Sequence, residues 1–272
     1  MPVSPVIAEG MIAASLAAGR AIMEIYASDF ASRSKADKTP VTEADETAEA
    51  IILAALDRLL PDVAVVAEES VAAGRIPSIG KRFFLVDPLD GTKEFINRRD
   101  EFTVNIALIE DGRPIAGVVY APALGRLFAG TDGGAVEFAV ENFQLAEARP
   151  ISVTTAGATV RVVASRSHRT AETDRFIEQY PGAETVTAGS SLKFCLVAAG
   201  AADLYPRLGR TMEWDTAAGH AVLAAAGGIV VRTDGTPLDY GRAVQPEDAP
   251  FANPWFIAAS DARLVEAGRA VL

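Results

Sequence analysis

The hexapeptide Asp87-Pro88-Leu89-Asp90-Gly91-Thr92 follows the apolar run 83–86, which predicts a buried strand. Because proline fixes φ, we expect Pro88 to end that strand and turn the chain, so that both carboxylates face one point. Gly91 allows close backbone approach, and N–H groups beyond it suit a phosphate. By itself the segment is equally typical of a surface turn, since Pro, Asp and Gly are common turn residues.

Other acidic residues also lie where predicted strands or helices begin or end: Asp45, Glu68 and Asp215. Ligands collect at strand ends in open α/β folds, because side chains and backbone converge there on solvent. Carboxylates grouped without His or Cys favour hard cations, chiefly Mg²⁺ or Mn²⁺. The sequence therefore predicts a divalent-metal site that holds a phosphate and lowers the pKa of bound water.

Composition narrows the class of protein. At 272 residues the chain fits one large domain or two packed lobes, and with half its residues hydrophobic and 22% charged it should fold. The net charge of −11 disfavours nucleic-acid binding, which needs Lys and Arg against phosphates. A single cysteine, Cys195, excludes an intrachain disulfide and a thiolate zinc site. No basic, then apolar, leader is apparent, so we expect a soluble cytoplasmic protein and leave peripheral membrane association open.

The first half predicts helices followed by strands. Apolar spacing indicates a helix over 7–26, and Thr42 is a plausible N-cap for a second helix that ends before Pro61. Residues 35–40 look like a loop. A strand over 63–67 leads to Glu68, and Asp111-Gly112 predicts a hairpin between strands 102–110 and 114–120.

The second half alternates strands and helices. Its predicted elements are a strand over 160–164, helices over 173–180 and 192–199, a strand over 203–205, a helix over 216–226 and a strand over 228–231. The change of rhythm predicts two lobes, 1–149 and 150–272, joined near 147–150 with no long linker. Most metal ligands would then lie in the first lobe, and Asp215 with the substrate-binding residues in the second.

Three segments together resemble a known family. The hexapeptide, the upstream Ala67-Glu68-Glu69-Ser70 and the segment Trp214-Asp215-Thr216-Ala217-Ala218-Gly219 are similar, in order and approximate spacing, to the inositol monophosphatase superfamily. The resemblance covers about residues 5–260. It implies an α/β (α+β) fold, a five-layered αβαβα sandwich of the inositol monophosphatase and sugar phosphatase type, with the metal site between the lobes.

The resemblance also implies roles for individual residues. Those implied to hold Mg²⁺ (two or three ions, with Mn²⁺ able to substitute) are Glu68, Asp87, the Leu89 carbonyl, Asp90 and Asp215. Glu68 and Thr92 would orient the attacking water, with Asp45 paired to Thr92, while the N–H groups of Gly91 and Thr92 hold phosphate oxygens. The implied reaction is in-line displacement by metal-activated water, without a covalent intermediate, and lithium sensitivity is expected from the family.

Further segments are similar to the 3′(2′),5′-bisphosphate nucleotidase branch, which serves sulfate assimilation by converting adenosine 3′,5′-bisphosphate to AMP. They are Lys93-Glu94-Phe95-Ile96, the stretch 101–109, Gly189-Ser190-Ser191-Leu192-Lys193-Phe194-Cys195 and Leu204-Tyr205-Pro206-Arg207. The resemblance makes His168, Ser190, Lys193 and Arg207 the candidates to meet the nucleotide, whose second phosphate needs cations. Arg99-Asp100 stands where bacterial members of this branch commonly have Asn-Gly.

Alternatives stay open at this point. Glu213 could contact the hydroxyls of an inositol ring, so inositol monophosphatase is the first alternative, followed by fructose 1,6-bisphosphatase. Lys193 could be a solvated helix residue, and His220 a core histidine. A catalytically inactive metabolite-binding protein is the alternative of another class. The chain is expected to act as a monomer or a homodimer.

Overall fold

The fold is a sandwich of five layers, two large sheets and three layers of helices, with a separate two-stranded sheet. It is seen in a computed structural model that describes residues 3–29, 32–34, 40–164 and 170–269. The helices are α1 (Pro5–Tyr26), α2 (Glu43–Leu59), α3 (Glu68–Ala72), α4 (Thr92–Ile96), α5 (Ala171–Ile177), α6 (Leu192–Ala198), α7 (Glu213–Ala225) and α8 (Ala262–Arg269). The strands are β1 (Ser32–Ser34), β2 (Pro40–Thr42), β3 (Ala64–Ala67), β4 (Arg82–Asp90), β5 (Thr103–Glu110), β6 (Arg113–Ala121), β7 (Arg126–Thr131), β8 (Gly134–Glu141), β9 (Gln144–Ile151), β10 (Arg161–Ala164), β11 (Glu184–Thr187), β12 (Leu204–Arg207), β13 (Ile229–Arg232) and β14 (Phe256–Ala259).

The larger sheet has seven strands in chain order, β3 to β9, and is antiparallel except for the parallel pair β3 and β4. Its β5–β6 turn is the predicted hairpin: Asp111 and Gly112 both adopt positive φ (47° and 77°), as a two-residue hairpin turn requires. The smaller sheet has the order β11-β10-β12-β14-β13, in which β14 runs antiparallel to both neighbours.

Helices cover both faces of the larger sheet. The antiparallel pair α1 and α2 packs on one face, and α6 with α7 fills the space between the two sheets. α5 and α8 close the far side of the smaller sheet. The five-layered αβαβα architecture expected from the resemblance is therefore confirmed, and α7, which carries Asp215, lies at its centre.

The long apolar helix α1 belongs to the core. Its length and composition are sufficient to cross a membrane. In the fold, however, Met11, Ala18 and Ile22 have no exposed surface and pack with residues of α2 and the larger sheet. Burying this apolar stripe against a sheet is the usual arrangement of an amphipathic core helix.

The expectation that Pro88 ends its strand is wrong. β4 continues to Asp90, and its register on β5 shifts, with Asp87 opposite Asn105 and Asp90 opposite Thr103. One extra residue on β4 makes a bulge, which tolerates proline because the bulged segment needs no ladder N–H there. The Asp87 carboxylate also accepts the Leu89 N–H at 3.0 Å. The two acids therefore converge through a bulge rather than through a turn.

Most other predicted elements agree with the structure within a few residues. α2 begins after Thr42, whose hydroxyl accepts the Ala44 N–H at 3.1 Å, as an N-cap does. α7 begins earlier than expected, so Asp215 lies in its first turn. Strands β7 to β9 were not predicted, and 147–150 lies inside β9. Residues of β9 are exposed on both faces, so they lack the alternation that reveals a strand. The loop predicted over 35–40 lies largely outside the described residues.

His220 on α7 is a core histidine. Its Nδ1 lies 2.9 Å from the Tyr240 hydroxyl, and burial lowers its pKa to about 3. Between pH 6.5 and pH 3, His220 is protonated in the unfolded chain but neutral in the folded chain. The free energy of unfolding therefore falls as the pH is lowered through this range.

We therefore expect His220→Gln, which keeps a polar partner for Tyr240, to flatten the dependence of stability on pH. Relative to the variant, the wild type should lose about 2 kcal/mol more between pH 7.5 and pH 5. Urea unfolding at the two pH values measures this. Parallel losses in both proteins would show that His220 titrates normally in the fold.

Candidate active site

Three predicted metal ligands meet at one point. Oxygen atoms of Glu68, Asp87 and Asp215 all lie within 4.8 Å of one another. Glu68 opens α3 directly after β3, and Asp87 lies on the neighbouring strand β4. Asp215 comes from the first turn of α7, at the centre of the sandwich. Asp90 and Leu89, at the end of β4, belong to the same cleft, which residues from both halves of the chain line. Residues far apart in sequence thus form one acidic cluster.

A buried glutamate on α2 holds the turn that carries Glu68. Glu49 accepts the Glu69 N–H at 2.8 Å with one carboxylate oxygen and the Ser70 hydroxyl at 2.7 Å with the other. Both donors follow Glu68 directly. The start of α3 is therefore fixed against α2, and Glu68 with it. The periodicity of α2 could not single out Glu49, because the partners that use it lie in another element.

The predicted pairing of Asp45 with Thr92 is present. One carboxylate oxygen of Asp45 accepts the Thr92 hydroxyl at 3.0 Å. The other accepts the N–H and hydroxyl of Thr42 at 2.8 and 2.7 Å, which completes the cap of α2. Thr92 also lies 3.3 Å from the Leu89 carbonyl. Asp45 thus connects the start of α2 to the end of β4.

Two buried polar residues that the sequence did not single out connect the larger sheet to the starts of α6 and α7 beside the acidic cluster. Asn105 on β5 donates to Ser191 Oγ at 3.0 Å and approaches the Asp90 carboxylate at 3.5 Å. Ser191, just before α6, donates to the Asp215 carbonyl at 2.6 Å. These contacts run from β4 and β5 through α6 to α7. They hold Asp90 and Asp215 in fixed positions relative to each other.

Burial and the closeness of the carboxylates disfavour their charged forms. Burial, together with the neighbouring carboxylates of Asp90 and Glu68, raises the pKa of Asp215 to about 8. Burial also raises the pKa of Asp90, with Glu68 adding to the effect and Lys193 opposing it. Oxygen donors this close to one another fit a hard divalent cation such as Mg²⁺. A bound cation would reverse these pKa shifts.

Lys193 and Arg207 line the same cleft. Lys193 is 7% exposed, so it is not a solvated helix residue: its ammonium donates to the Ser190 carbonyl and lies 5.6 Å from the Tyr205 ring centroid. Burial lowers its pKa to about 8. Arg207 ends β12 beside it and donates to the Arg210 carbonyl at 2.9 Å. Lys193 and Arg207 thus both bring a cation to the cleft from the second half of the chain.

Ser190 joins the two walls of the cleft. Its hydroxyl lies 2.8 Å from the Asp90 carbonyl and 3.0 Å from the Glu101 carbonyl, and donates its proton to one or the other. Its lone pairs remain for a ligand. Gly91, at φ 95°, packs so closely on this hydroxyl that a Cβ there would overlap it. This is the physical reason for glycine at that position.

Glu213 is not part of this wall, and His168 lies outside the described residues. Glu213 has no exposed surface and accepts the N–H groups of Gly241 and Arg242 at 2.7 and 2.9 Å. It anchors the loop after β13 and is absent from the described cleft lining, which removes the carboxylate that favoured an inositol ring.

The cleft also contains residues that sequence reasoning missed. They are Lys93, Glu94, Arg99, Glu101, Tyr205, Arg210, Thr211 and Thr216. Arg99 makes no side-chain hydrogen bond or ion pair with another described residue. Arg210, by contrast, is paired with Asp248 at 2.7 Å. The Arg99-Asp100 departure was a signal in the sequence, since it placed an extra cation near the site rim.

Comparisons with known proteins agree with this geometry. The model of the inositol monophosphatase family matches residues 3–267. The chain is 48% identical to the 3′(2′),5′-bisphosphate nucleotidase CysQ of Escherichia coli (strain K12) over 88% of this chain and 94% of that protein. It is 31% identical to the CysQ of Haemophilus influenzae over 89% of this chain and 88% of that one.

Solved structures are similar over nearly the whole chain. The crystal structure of CysQ from Bacteroides thetaiotaomicron, a bacterial member of the inositol monophosphatase family, is 38% identical with a TM-score of 0.76, covering 93% of this chain and 97% of that one. An inositol monophosphatase from Anabaena is 25% identical with a TM-score of 0.74, covering 97% and 94%.

The electrostatics of the cluster predict opposite effects for two buried aspartates. Asp215→Asn removes repulsion while keeping an acceptor for the Met212 N–H, so in EDTA we expect a stability gain of about 1 kcal/mol, or about 2–4 °C in melting temperature. The same variant should lose most of the stabilisation that Mg²⁺ gives the wild type. Thermal unfolding in EDTA and in Mg²⁺ measures both effects.

Asp203→Asn is the matched control. Asp203 is also buried but is paired with Arg161 at 2.6 Å, so its neutralisation should lower the melting temperature and leave the Mg²⁺ effect intact. If Asp215→Asn were destabilised in EDTA like the control, the cluster would not be repelling itself.

Proposed function

This chain belongs to the inositol monophosphatase family, and we propose that it is a Mg²⁺-dependent 3′(2′),5′-bisphosphate nucleotidase. In the proposed reaction it hydrolyses adenosine 3′,5′-bisphosphate to AMP and phosphate with metal-activated water. One observation carries the proposal: the acidic cluster and the buried ammonium of Lys193 share a single cleft, with Arg207 beside them. The names of the CysQ relatives support the same substrate.

The residues that would hold the metal are Glu68, Asp87, the Leu89 carbonyl, Asp90 and Asp215, with two or three Mg²⁺ ions, or Mn²⁺ in their place. Bound there, the ions would neutralise phosphate charge and lower the pKa of a water molecule. The protein supplies convergence of these oxygens before any ion arrives. The hydrogen bonds of Glu49 to the turn after Glu68 and of Ser191 to the Asp215 carbonyl support that convergence.

The nucleophile is oriented by Glu68, Thr92 and Asp45. The Thr92 hydroxyl donates its one proton toward Asp45, at 3.0 Å, so its lone pairs can accept a proton of the attacking water. Glu68, which lines the same cleft, would accept the other proton of that water. Asp45 is buried and is held by the N–H and hydroxyl of Thr42, so the Thr92 hydroxyl that donates to it is also restricted in orientation. This pre-set orientation contributes to catalysis by positioning.

The two phosphates of the substrate would bind to different groups of residues in the cleft. N–H groups of Gly91 and Thr92, where α4 begins, would hold the scissile phosphate. Lys193, Arg207 and the lone pairs of Ser190 would meet the second phosphate and the ribose, and the sequence resemblance adds His168. Arg207 offers a planar fork suited to phosphate, whereas Lys193 acts as a point charge.

The alternatives have less support. An inositol ring needs hydroxyl acceptors, and the Glu213 carboxylate is committed to the main chain of Gly241 and Arg242. A sugar bisphosphate would also use the two cations and remains to be compared by assay. An inactive metabolite-binding relative would have no chemical reason to keep the Asp45–Thr92 pair beside an intact acidic cluster.

We further propose that the enzyme is cytoplasmic and acts as a monomer or a homodimer. Removal of a bisphosphorylated nucleotide left by sulfate assimilation is the role the relatives' branch suggests, and inhibition by Li⁺ would follow if that ion occupied a Mg²⁺ position. Both are open to direct assay with the purified chain.

Asp90→Asn tests the site. The isosteric amide keeps the acceptor for Asn105 but cannot hold a cation as a carboxylate does, so we expect a normal fold and a loss of Mg²⁺-dependent phosphate release of about a thousandfold. Circular dichroism and phosphate release from adenosine 3′,5′-bisphosphate, with and without Mg²⁺, measure these outcomes. Turnover like that of the wild type would remove Asp90 from the site.

Lys193→Ala tests the substrate. We expect the kcat/KM for adenosine 3′,5′-bisphosphate to fall about tenfold more than that for inositol 1-phosphate, because only the former presents a second phosphate. Fructose 1,6-bisphosphate completes the panel. Ratios from one preparation cancel any loss of folded protein, and Lys81→Ala, at an exposed lysine beside Asp111, is the control. Equal losses on all substrates would remove Lys193 from the second-phosphate site, and a tenfold wild-type preference for inositol 1-phosphate would overturn the nucleotidase assignment.

A further inference from the structure

Asn253, in the loop between β13 and β14, makes several hydrogen bonds to the residues at the start of α7 and has no role in the proposed reaction. It is 7% exposed. Its side-chain Nδ2 lies 2.6 Å from the Met212 carbonyl, 3.0 Å from Thr216 Oγ1 and 3.2 Å from Thr211 Oγ1. Its main-chain N–H donates to the Thr211 carbonyl at 2.9 Å. One amide therefore fastens the segment that leads into α7.

That segment is directly coupled to Asp215. Met212 is the N-cap of α7, and its N–H donates to an Asp215 carboxylate oxygen at 2.8 Å. The Met212 carbonyl accepts the Asp215 N–H at 3.1 Å as well as the Asn253 amide. The peptide groups on both sides of Met212 are thereby fixed. The orientation of the Asp215 side chain follows from the position of Met212.

Asn253 acts from behind the wall of the cleft. Its partners Thr211 and Thr216 line the cleft with Asp215, whereas Asn253 itself is absent from the described lining. The carboxylates of Glu68 and Asp87 lie within 4.8 Å of Asp215 and repel it, so an anchor on α7 is needed to keep the three together before a cation binds. Asn253 supplies this anchor from the far side of α7.

We propose that Asn253 is a positioning residue that holds Asp215 in the geometry required for divalent-metal binding. The proposal rests on the proposed function, since it assumes that the acidic cluster is a metal site. Removing hydrogen-bonded groups that orient metal ligands typically lowers metal affinity 10- to 100-fold. The effect should appear in metal binding rather than in turnover at saturating Mg²⁺, because Asn253 touches neither substrate nor reacting atoms.

The test is Mn²⁺ binding by isothermal titration calorimetry on the full chain without substrate, with Asn253→Ala compared to the wild type. We expect the Kd to rise about 10- to 100-fold. In a parallel assay the Mg²⁺ concentration for half-maximal phosphate release should rise by a similar factor. The kcat at saturating Mg²⁺ and the substrate KM should change less than about threefold.

Gln245→Ala is the matched control. Gln245 also carries a half-buried amide in this loop and donates to the carbonyls of Ala249 and Ala252, both at 3.0 Å, but none of its described contacts reaches Met212. It should lower the melting temperature comparably and leave the Mn²⁺ Kd within about twofold of the wild type. If Asn253→Ala behaved like this control, Asn253 would only stabilise the loop and the proposal would be overturned.

Asn253→Asp provides a second variant of the same shape, should the alanine variant fail to fold. It replaces donors by acceptors that face the Met212 carbonyl. Its added negative charge alone would tighten Mn²⁺ binding. A Kd higher than that of the wild type therefore supports the positioning role, and a lower Kd refutes it. A wild type that binds no Mn²⁺ would instead refute the proposed function, which keeps the two failures distinct.

Discussion

The structure depends on keeping several carboxylates close together although they repel one another. Glu68, Asp87 and Asp215 lie within 4.8 Å, and Asp90 adds a further charge. Hydrogen bonds to the main chain oppose this repulsion. The Glu49 carboxylate accepts an N–H of the turn after Glu68, and the Asp87 carboxylate accepts the Leu89 N–H within the bulge of β4. The Asp215 carboxylate accepts the Met212 N–H at the start of α7. Burial, with the neighbouring carboxylates adding to it, raises the pKa values of Asp90 and Asp215, and a bound cation would lower them.

The same constraint accounts for the buried contacts between the larger sheet and the helices α6 and α7. Asn105 and Ser191 connect β5 to α6 and α7, and Ser190 connects both walls of the cleft through main-chain carbonyls. Gly189 is packed against the Glu101 carbonyl, where a Cβ would lie 2.7 Å away. Close backbone approach and buried hydrogen bonds thus fix the width of the cleft. Rigid contacts of this kind pre-organise ligands that would otherwise separate.

Local signals in the sequence were reliable where one element alone produced them. The apolar period of α1, the cap at Thr42 and the Asp111-Gly112 hairpin depend on neighbours in the chain, and all are present. Predictions went wrong where the environment decides. Pro88 sits in a bulge that only pairing with β5 reveals. Strand β9 was missed because its exposed residues carry no alternation. The burial of Lys193 and the commitment of Glu213 to the loop after β13 depend on packing between distant segments.

The sequence by itself determined the acidic residues, their order along the chain and the family they indicate, because the hexapeptide 87–92 and the segments around Glu68 and Asp215 carry their chemistry in residue type and spacing. Only the tertiary structure decided which side chains support them. Glu49, Asn105, Ser191 and Asn253 are ordinary polar residues in the sequence, and the partners that tie them to the site lie 15 residues or more away. Hydrogen bonds across such separations are set by the packing of strands and helices, and no local pattern encodes them.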